Sequence, residues 1–220
     1  AEDAAALLQR ARGEVAEPAT AAQVCRWFDT AVDRADGVFD HFMPTLAELA
    51  PTFTAAQLQH LERKYEKNNE KFADEFLQAD PAKRLKAAVA RTVDRAETLY
   101  GSLDRAQRER IEAAVAQSPY DAQAAFEERK RFHRDVLDTL RRLKGEAATP
   151  QQAEAALRAV VQRVKASPNE RYRAYQQRLL PYNCAFGAQV HNSTSAEQRQ
   201  HAAKKLRGWE DDLRALMPQG

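Results

Sequence analysis

The chain has 220 residues, 44% hydrophobic and 30% charged, with only 7 glycines and 9 prolines, enough for one well-buried domain and short for two of typical size. An Ala-rich chain this poor in Gly and Pro favours helices and excludes collagen-like, disordered and turn-rich β architectures. The 34 Lys and Arg against 32 Asp and Glu leave a formal charge of +2, too small an excess to mark a nucleic-acid binder. With a mean hydropathy of −0.69, no apolar run approaches the ~18 residues that a membrane-crossing helix needs.

Breaks in apolar periodicity predict helices near 3–16, 21–42, 45–50, 55–78, 81–100, 105–116, 120–144, 150–166, 168–191 and 196–216. Their starts share one chemistry. A Ser, Thr or Asp cap followed three residues later by Gln or Glu satisfies two free backbone N–H groups reciprocally. The pattern recurs as Thr20…Gln23, Thr54…Gln57, Asp104…Gln107, Thr149…Gln152, Ser167…Glu170 and Ser195…Gln198. Asp80-Pro81 and Ser118-Pro119 add two starts with proline in the first turn. Gly101 and Gly145 follow two helix ends and suit the left-handed position there. No stretch alternates like a strand, no repeat has a fixed period, and no linker is rich in Pro, Gly or Ser. The expected fold is all-α: an elongated multi-helix bundle without strands, one domain over 1–220 with 1–19 as the remnant of a longer N-terminus.

Apolar stripes at three- and four-residue steps show which faces are to be buried. In 21–42 the stripe is Val24, Phe28, Val32, Ala35, Phe39 and Phe42; in 55–78 it is Leu58, Leu61, Tyr65, Asn68, Phe72 and Phe76. In 168–191 it is Tyr172, Tyr175, Leu179, Asn183, Phe186 and Val190, and in the last helix Ala202, Leu206, Trp209, Leu213 and Leu216. Asn68, Asn69 and Asn183 interrupt these stripes where Leu would pack better. Buried amides must find partners, so the three are expected to form a polar layer, either fixing helix register or lining a small binding site.

Catalytic chemistry finds little purchase. No Gly-x-Ser-x-Gly elbow or phosphate-cradling loop occurs, and Ser118, Ser167 and Ser195 fall at expected caps. His41, His60, His133, His191 and His201 show no i, i+3 or i, i+4 pairing, so no metal site and no cofactor is expected. The run Arg129, Lys130, Arg131, Arg134, Arg141, Arg142 and Lys144 is interleaved with Glu127, Glu128, Asp135 and Asp138 and reads as a solvated face; contact with phosphate or an anionic surface is the sharper alternative. Cys25 and Cys184 each flank a stripe, and the residues alone leave two buried thiols and one long-range disulfide equally open. The start Ala1-Glu2-Asp3 carries no targeting segment, as in a cytosolic protein or a trimmed mature one.

Several strings occur in a characteristic order. Phe53-Thr54-Ala55-Ala56-Gln57-Leu58-Gln59-His60-Leu61 leads to Lys67-Asn68-Asn69-Glu70-Lys71-Phe72, then Tyr100-Gly101-Ser102-Leu103-Asp104-Arg105-Ala106-Gln107. Asn183-Cys184-Ala185 and His191-Asn192-Ser193-Thr194-Ser195 follow. From about residue 20 to 216 the chain resembles a family of helical lipoproteins of proteobacteria whose function is unknown. The resemblance implies export, an N-terminal lipid anchor and attachment to the outer membrane facing the periplasm. An oxidising compartment in turn implies that Cys25 and Cys184 are joined. Phe53-Thr54-x-x-Gln57 and Leu103-Asp104-x-x-Gln107 are also similar to the paired Leu-Thr-x-x-Gln motifs of small periplasmic stress chaperones, helical cradles that bind unfolding clients without ATP.

The function expected is therefore a non-enzymatic, chaperone-like binding module of the cell envelope, with a protein or peptide as partner. Tyr65, Phe72, Tyr172 and Tyr175 are the candidate lining of an apolar groove, and Asn68, Asn69, Asn183, His191 and Asn192 the candidate polar site. The rivals are a structural envelope scaffold and, from another class, a hydrolase or lyase with a site around His191, Asn192 and Asn183.

Overall fold

A computed structural model describes residues 2–215. Among the described residues it contains nine α-helices and no strand. They are α1 (Glu2–Glu14), α2 (Ala21–Leu49), α3 (Ala55–Phe76), α4 (Pro81–Tyr100), α5 (Arg105–Gln117), α6 (Ala122–Gly145), α7 (Pro150–Lys165), α8 (Glu170–Asn192) and α9 (Ala196–Ala215), with a short 3-10 turn at Ala50–Thr52. The expected all-helical class holds. Residue 1 of the N-terminal stretch, and Leu216 at the end of the last stripe, lie outside the described residues.

Five of the six expected capping boxes form, at Thr20, Thr54, Asp104, Thr149 and Ser195. The sixth does not. Asn169 caps α8 instead, its Oδ1 accepting from the N–H groups of Arg171 and Tyr172, while Ser167 Oγ accepts from Asn169 N–H. Asn is as good a cap as Ser, and it sits one residue before the observed first turn. Asp80 caps α4 as expected. Ser118-Pro119 starts nothing: Ser118 ends α5, and α6 begins at Ala122 with Asp121 as its cap.

Two expected boundaries move for physical reasons. The break between 42 and 45 is absent, because α2 runs through Pro44. Interior proline costs about 3 kcal/mol, but Met43 and Ala47 on either side are both buried and dock the helix across it. At the end of α6 the left-handed residue is Ala147, at φ 47°, and not Gly145. Ala148 N–H donates to Leu143 C=O and Ala147 N–H to Lys144 C=O, the two bonds of a Schellman ending. Gly101, at φ 77°, does occupy the left-handed position after α4.

The chain divides into two compact units. Unit 1 comprises the residues up to Arg26, Leu85–Ser118 and those from Pro181 onward; unit 2 comprises Trp27–Arg84 and Pro119–Leu180. No linker-like composition marks this division, since its cuts fall inside α2, α4 and α8 and before Pro119. In unit 1, α1 packs on α9, with Ala5, Ala202 and Leu206 buried and Arg12 3.3 Å from the buried Glu210. Cys25 and Cys184 are joined by a disulfide with Cα atoms 5.2 Å apart. Beside it α8 comes close to α2: a Cβ at Gly187 would stand 3.1 Å from Val24 Cγ1.

Unit 2 is organised on α6, which contacts α3, α7 and the 3-10 turn. Its core joins Ala47, Ala50, Leu58, Leu140, Leu143, Ala148 and Ala153, with Phe53, Leu61 and Leu157 packed against it. The basic run of α6 is less solvated than expected. Arg131 pairs with Glu128 and Asp135 and donates to the Arg163 carbonyl; Arg163 in turn holds Asp135 through two bonds of 2.8 Å. Half-buried guanidinium groups here bridge α6 to α7.

Candidate functional site

His191 and Asn192, expected in a polar site, close a backbone clamp in unit 1. His191 is buried, with Nε2 2.7 Å from the Glu17 carbonyl and Nδ1 2.9 Å from the Tyr100 hydroxyl. A carbonyl only accepts, so Nε2 carries a hydrogen and donates it to Glu17, while Nδ1 shares a hydrogen bond with the Tyr100 hydroxyl. Burial, opposed by the charge of Arg199, pushes the Tyr100 hydroxyl up to about 12, which keeps it protonated. Asn192 spans Ala19 as a neighbouring strand would: Ala19 N–H donates to its Oδ1 and its Nδ2 donates to Ala19 C=O, both at 2.8 Å. Arg199 reaches the Ala16 carbonyl. The segment between α1 and α2 is thus held by side chains more than 170 positions away. Both ring nitrogens of His191 are committed to this task.

Two residues that the sequence marks only as cap partners do more. Gln107 and Gln198 bond to each other, and each reaches the other's loop: Gln107 Nε2 donates to Ser193 C=O and Gln198 Nε2 to Ser102 C=O, each at 2.8 Å. Two capping boxes are locked head to head in a locally two-fold arrangement. The box that pairs with Asp104 is that of Ser195; the expected partner motif at Thr54 belongs to unit 2.

The asparagines are less buried than expected. Asn68 and Asn69 belong to unit 2 and Asn183 to unit 1, and all three are half-buried. Asn69 Oδ1 accepts from Arg129 Nε at 3.2 Å. The candidate groove aromatics pack within unit 2, where Tyr175 is buried and the other three are half-buried. Tyr65 stacks on His133 at 3.9 Å, Phe72 stacks on Phe76 and Phe126, and Tyr175 is buried beside Tyr172, its hydroxyl accepting from Asp121 N–H. Burial raises Tyr65, and raises Tyr175 to about 12. His133 is buried, has no partner at Nδ1, and is lowered to about 4 by burial and by the Arg129 charge.

The exposed apolar surface lies elsewhere, on α2. The stripe expected to be buried there is largely open: Phe28, Val32, Phe39 and Phe42 are between 46% and 54% exposed and Ala35 is exposed as well. The open strip continues beyond it through Leu46 at 39% and Leu49 at 50%, with Val38 beside it at 57%. The inward face is a different one. Met43 and Ala47 are buried, while Asp36 pairs with Lys165 and Asp40 with Arg158 on α7. Phe28, Val32, Ala35, Phe39, Phe42, Leu46 and Leu49 follow one another at steps of 4, 3, 4, 3, 4 and 3, the spacing of a coiled-coil seam. A contiguous apolar strip of this length is more than the singly scattered apolar residues of an ordinary surface. Periodicity announced the stripe, but spacing alone did not say that it would stand open.

No curated protein and no solved structure is significantly similar to this chain. One family model matches residues 4–173, a stretch that contains the whole exposed face of α2 and ends before Cys184, His191 and Asn192. With over half its length so matched, the chain belongs to the family of unknown function DUF6279.

Proposed function

We propose that this protein is a non-catalytic binding module of the cell envelope, exported and lipid-anchored in its full-length form, whose α2 face accepts an amphipathic helix. One observation carries the reading: seven side chains at heptad spacing stand open to solvent on a helix whose other face is anchored in unit 2. Helix-in-groove recognition uses this spacing of anchors, with aromatic side chains supplying most of the binding energy. A scaffold that only spans distance has no use for an open strip of three phenylalanines. Unfolding clients present such helices, which makes chaperone-like action one form of the same activity.

Photo-crosslinkers at Val32 and Phe42 of the lipidated protein in cells should give polypeptide adducts, and one at the solvated Arg105 should not. Equal yields at the three sites, or adducts with lipid alone, would sink the reading. Protection of a denatured client at equimolar ratio, abolished by Phe39→Glu, is the result expected of the chaperone form.

A further inference from the structure

We propose that the occupant of the α2 face is the same face of a second copy, packed antiparallel about a two-fold axis beside Val38. This rests on the docking reading above and names its partner. The heptad pattern runs from Phe28 to Leu49, three full heptads and ~33 Å of helix, long enough for a stable seam. At 39–54% exposure, its large side chains offer ~600 Å² per copy, taking ordinary side-chain areas. Two copies then bury ~1,200 Å², the lower edge of a specific interface.

Charge permits self-pairing. On one edge of the seam stand Ala31, Val38 and Thr45, all uncharged. On the other stand Asp29, Asp36 and Met43. Asp36 and the neighbouring Asp40 are neutralised within each copy by Lys165 and Arg158, and the antiparallel arrangement sets Asp29 towards Met43 of the second copy and away from its own image. A foreign basic helix would therefore find two of the acidic groups already engaged.

Volume selects the orientation. A parallel pair would set Ala35 against Ala35 and Phe39 against Phe39, leaving a void beside a bulge. An antiparallel pair sets Ala35 against Phe39, Val32 against Phe42 and Phe28 against Leu46 of the second copy, so that small meets large in two of the three layers. The contact is isologous and closes on itself, giving a dimer and no fibre.

Light scattering on the oxidised full chain at about 10–200 µM should give about 50 kDa, twice the chain's 24.8 kDa. Phe39→Glu and, independently, Val32→Glu should give monomers of unchanged helicity. Under mild oxidation Val38→Cys should crosslink to itself across the axis, and Ala35→Cys should not. A wild-type monomer at 200 µM overturns the proposal, as does crosslinking through Ala35→Cys in place of Val38→Cys. If that monomer still gives adducts with other chains at Val32 and Phe42, the docking reading survives and only the second copy is lost.

Discussion

The two units are held together by different chemistry. Unit 1 relies on bonds between side chains and backbone far apart in sequence: the Cys25–Cys184 disulfide, the His191, Asn192 and Arg199 clamp, and the paired Gln107 and Gln198. Unit 2 relies on an aliphatic cluster around α6 and on arginine–carboxylate pairs between α6 and α7. Directional bonds specify geometry and tolerate little displacement, whereas apolar contact is graded by area. The comparison teaches where perturbation will be local. Unit 1 is vulnerable to reductant and to loss of single polar atoms, unit 2 to cavities and acid.

The largest effect should come from reduction. The disulfide closes a loop across 159 positions, and releasing it should cost about 5 kcal/mol on the chain-entropy account. Cys25→Ser with Cys184→Ser should show it as loss of hydrogen-exchange protection in α1 and α9, with α3 and α6 little changed. Equal loss in both units would erase the distinction. Leu143→Ala is the converse case: this side chain is fully buried, and its truncation should cost about 3 kcal/mol, read first in α6 and α7.

Acid should act on unit 2. His133 is held at about 4 against an ordinary 6.5. Above pH 6.5 its ring is neutral folded and unfolded, so nothing is lost there. As pH falls below 6.5 the unfolded chain takes up a proton that the fold refuses, and stability drops until about pH 4, by about 2 kcal/mol. Urea midpoints at pH 7.5 and 4.5 should therefore differ more in the wild type than in His133→Phe. Gln107→Ala should cost about 1–2 kcal/mol, since it unmakes a cap and leaves half-buried partners unpaired. A double-mutant cycle with Gln198→Ala should show strong coupling between the two. The smallest expected effect is a gain: Ala147→Gly relieves a left-handed alanine and should raise stability by about 0.5–1 kcal/mol, seen as a higher Tm.

Helix existence and most helix starts were legible in the sequence because caps act over three or four residues and need no tertiary partner. Thr54 and Gln57 satisfy each other wherever that stretch folds. Where two competent caps stood close together, as Ser167 and Asn169 do, local chemistry did not rank them. Pro44 misled for the opposite reason: its local cost is real, and burial of Met43 and Ala47 outweighs it. The candidate site was read less well. Spacing located the stripes of α2 and α3 equally clearly, yet one is open and the other packs on α6. Which face wins depends on neighbours that periodicity does not encode. The roles of His191 and Asn192 were beyond reach for a related reason, since the clamp they close is on backbone atoms of residues 17 and 19, and backbone leaves no trace in composition.

The pairing of Cys25 with Cys184 also sets a clock on biosynthesis. With 159 positions between the two sulfurs and a ribosome adding 5–20 residues per second, the first cysteine waits roughly 8–30 s for its partner to be made. During that interval α1 lacks α9, the helix it packs against, because α9 is synthesised later still. Unit 2, by contrast, has every one of its residues once position 180 is made. The chain's beginning is therefore the last part of it to find shelter, and for that time an unpaired thiol and an uncovered helix travel together, available to whatever oxidant or holding factor meets the nascent protein first.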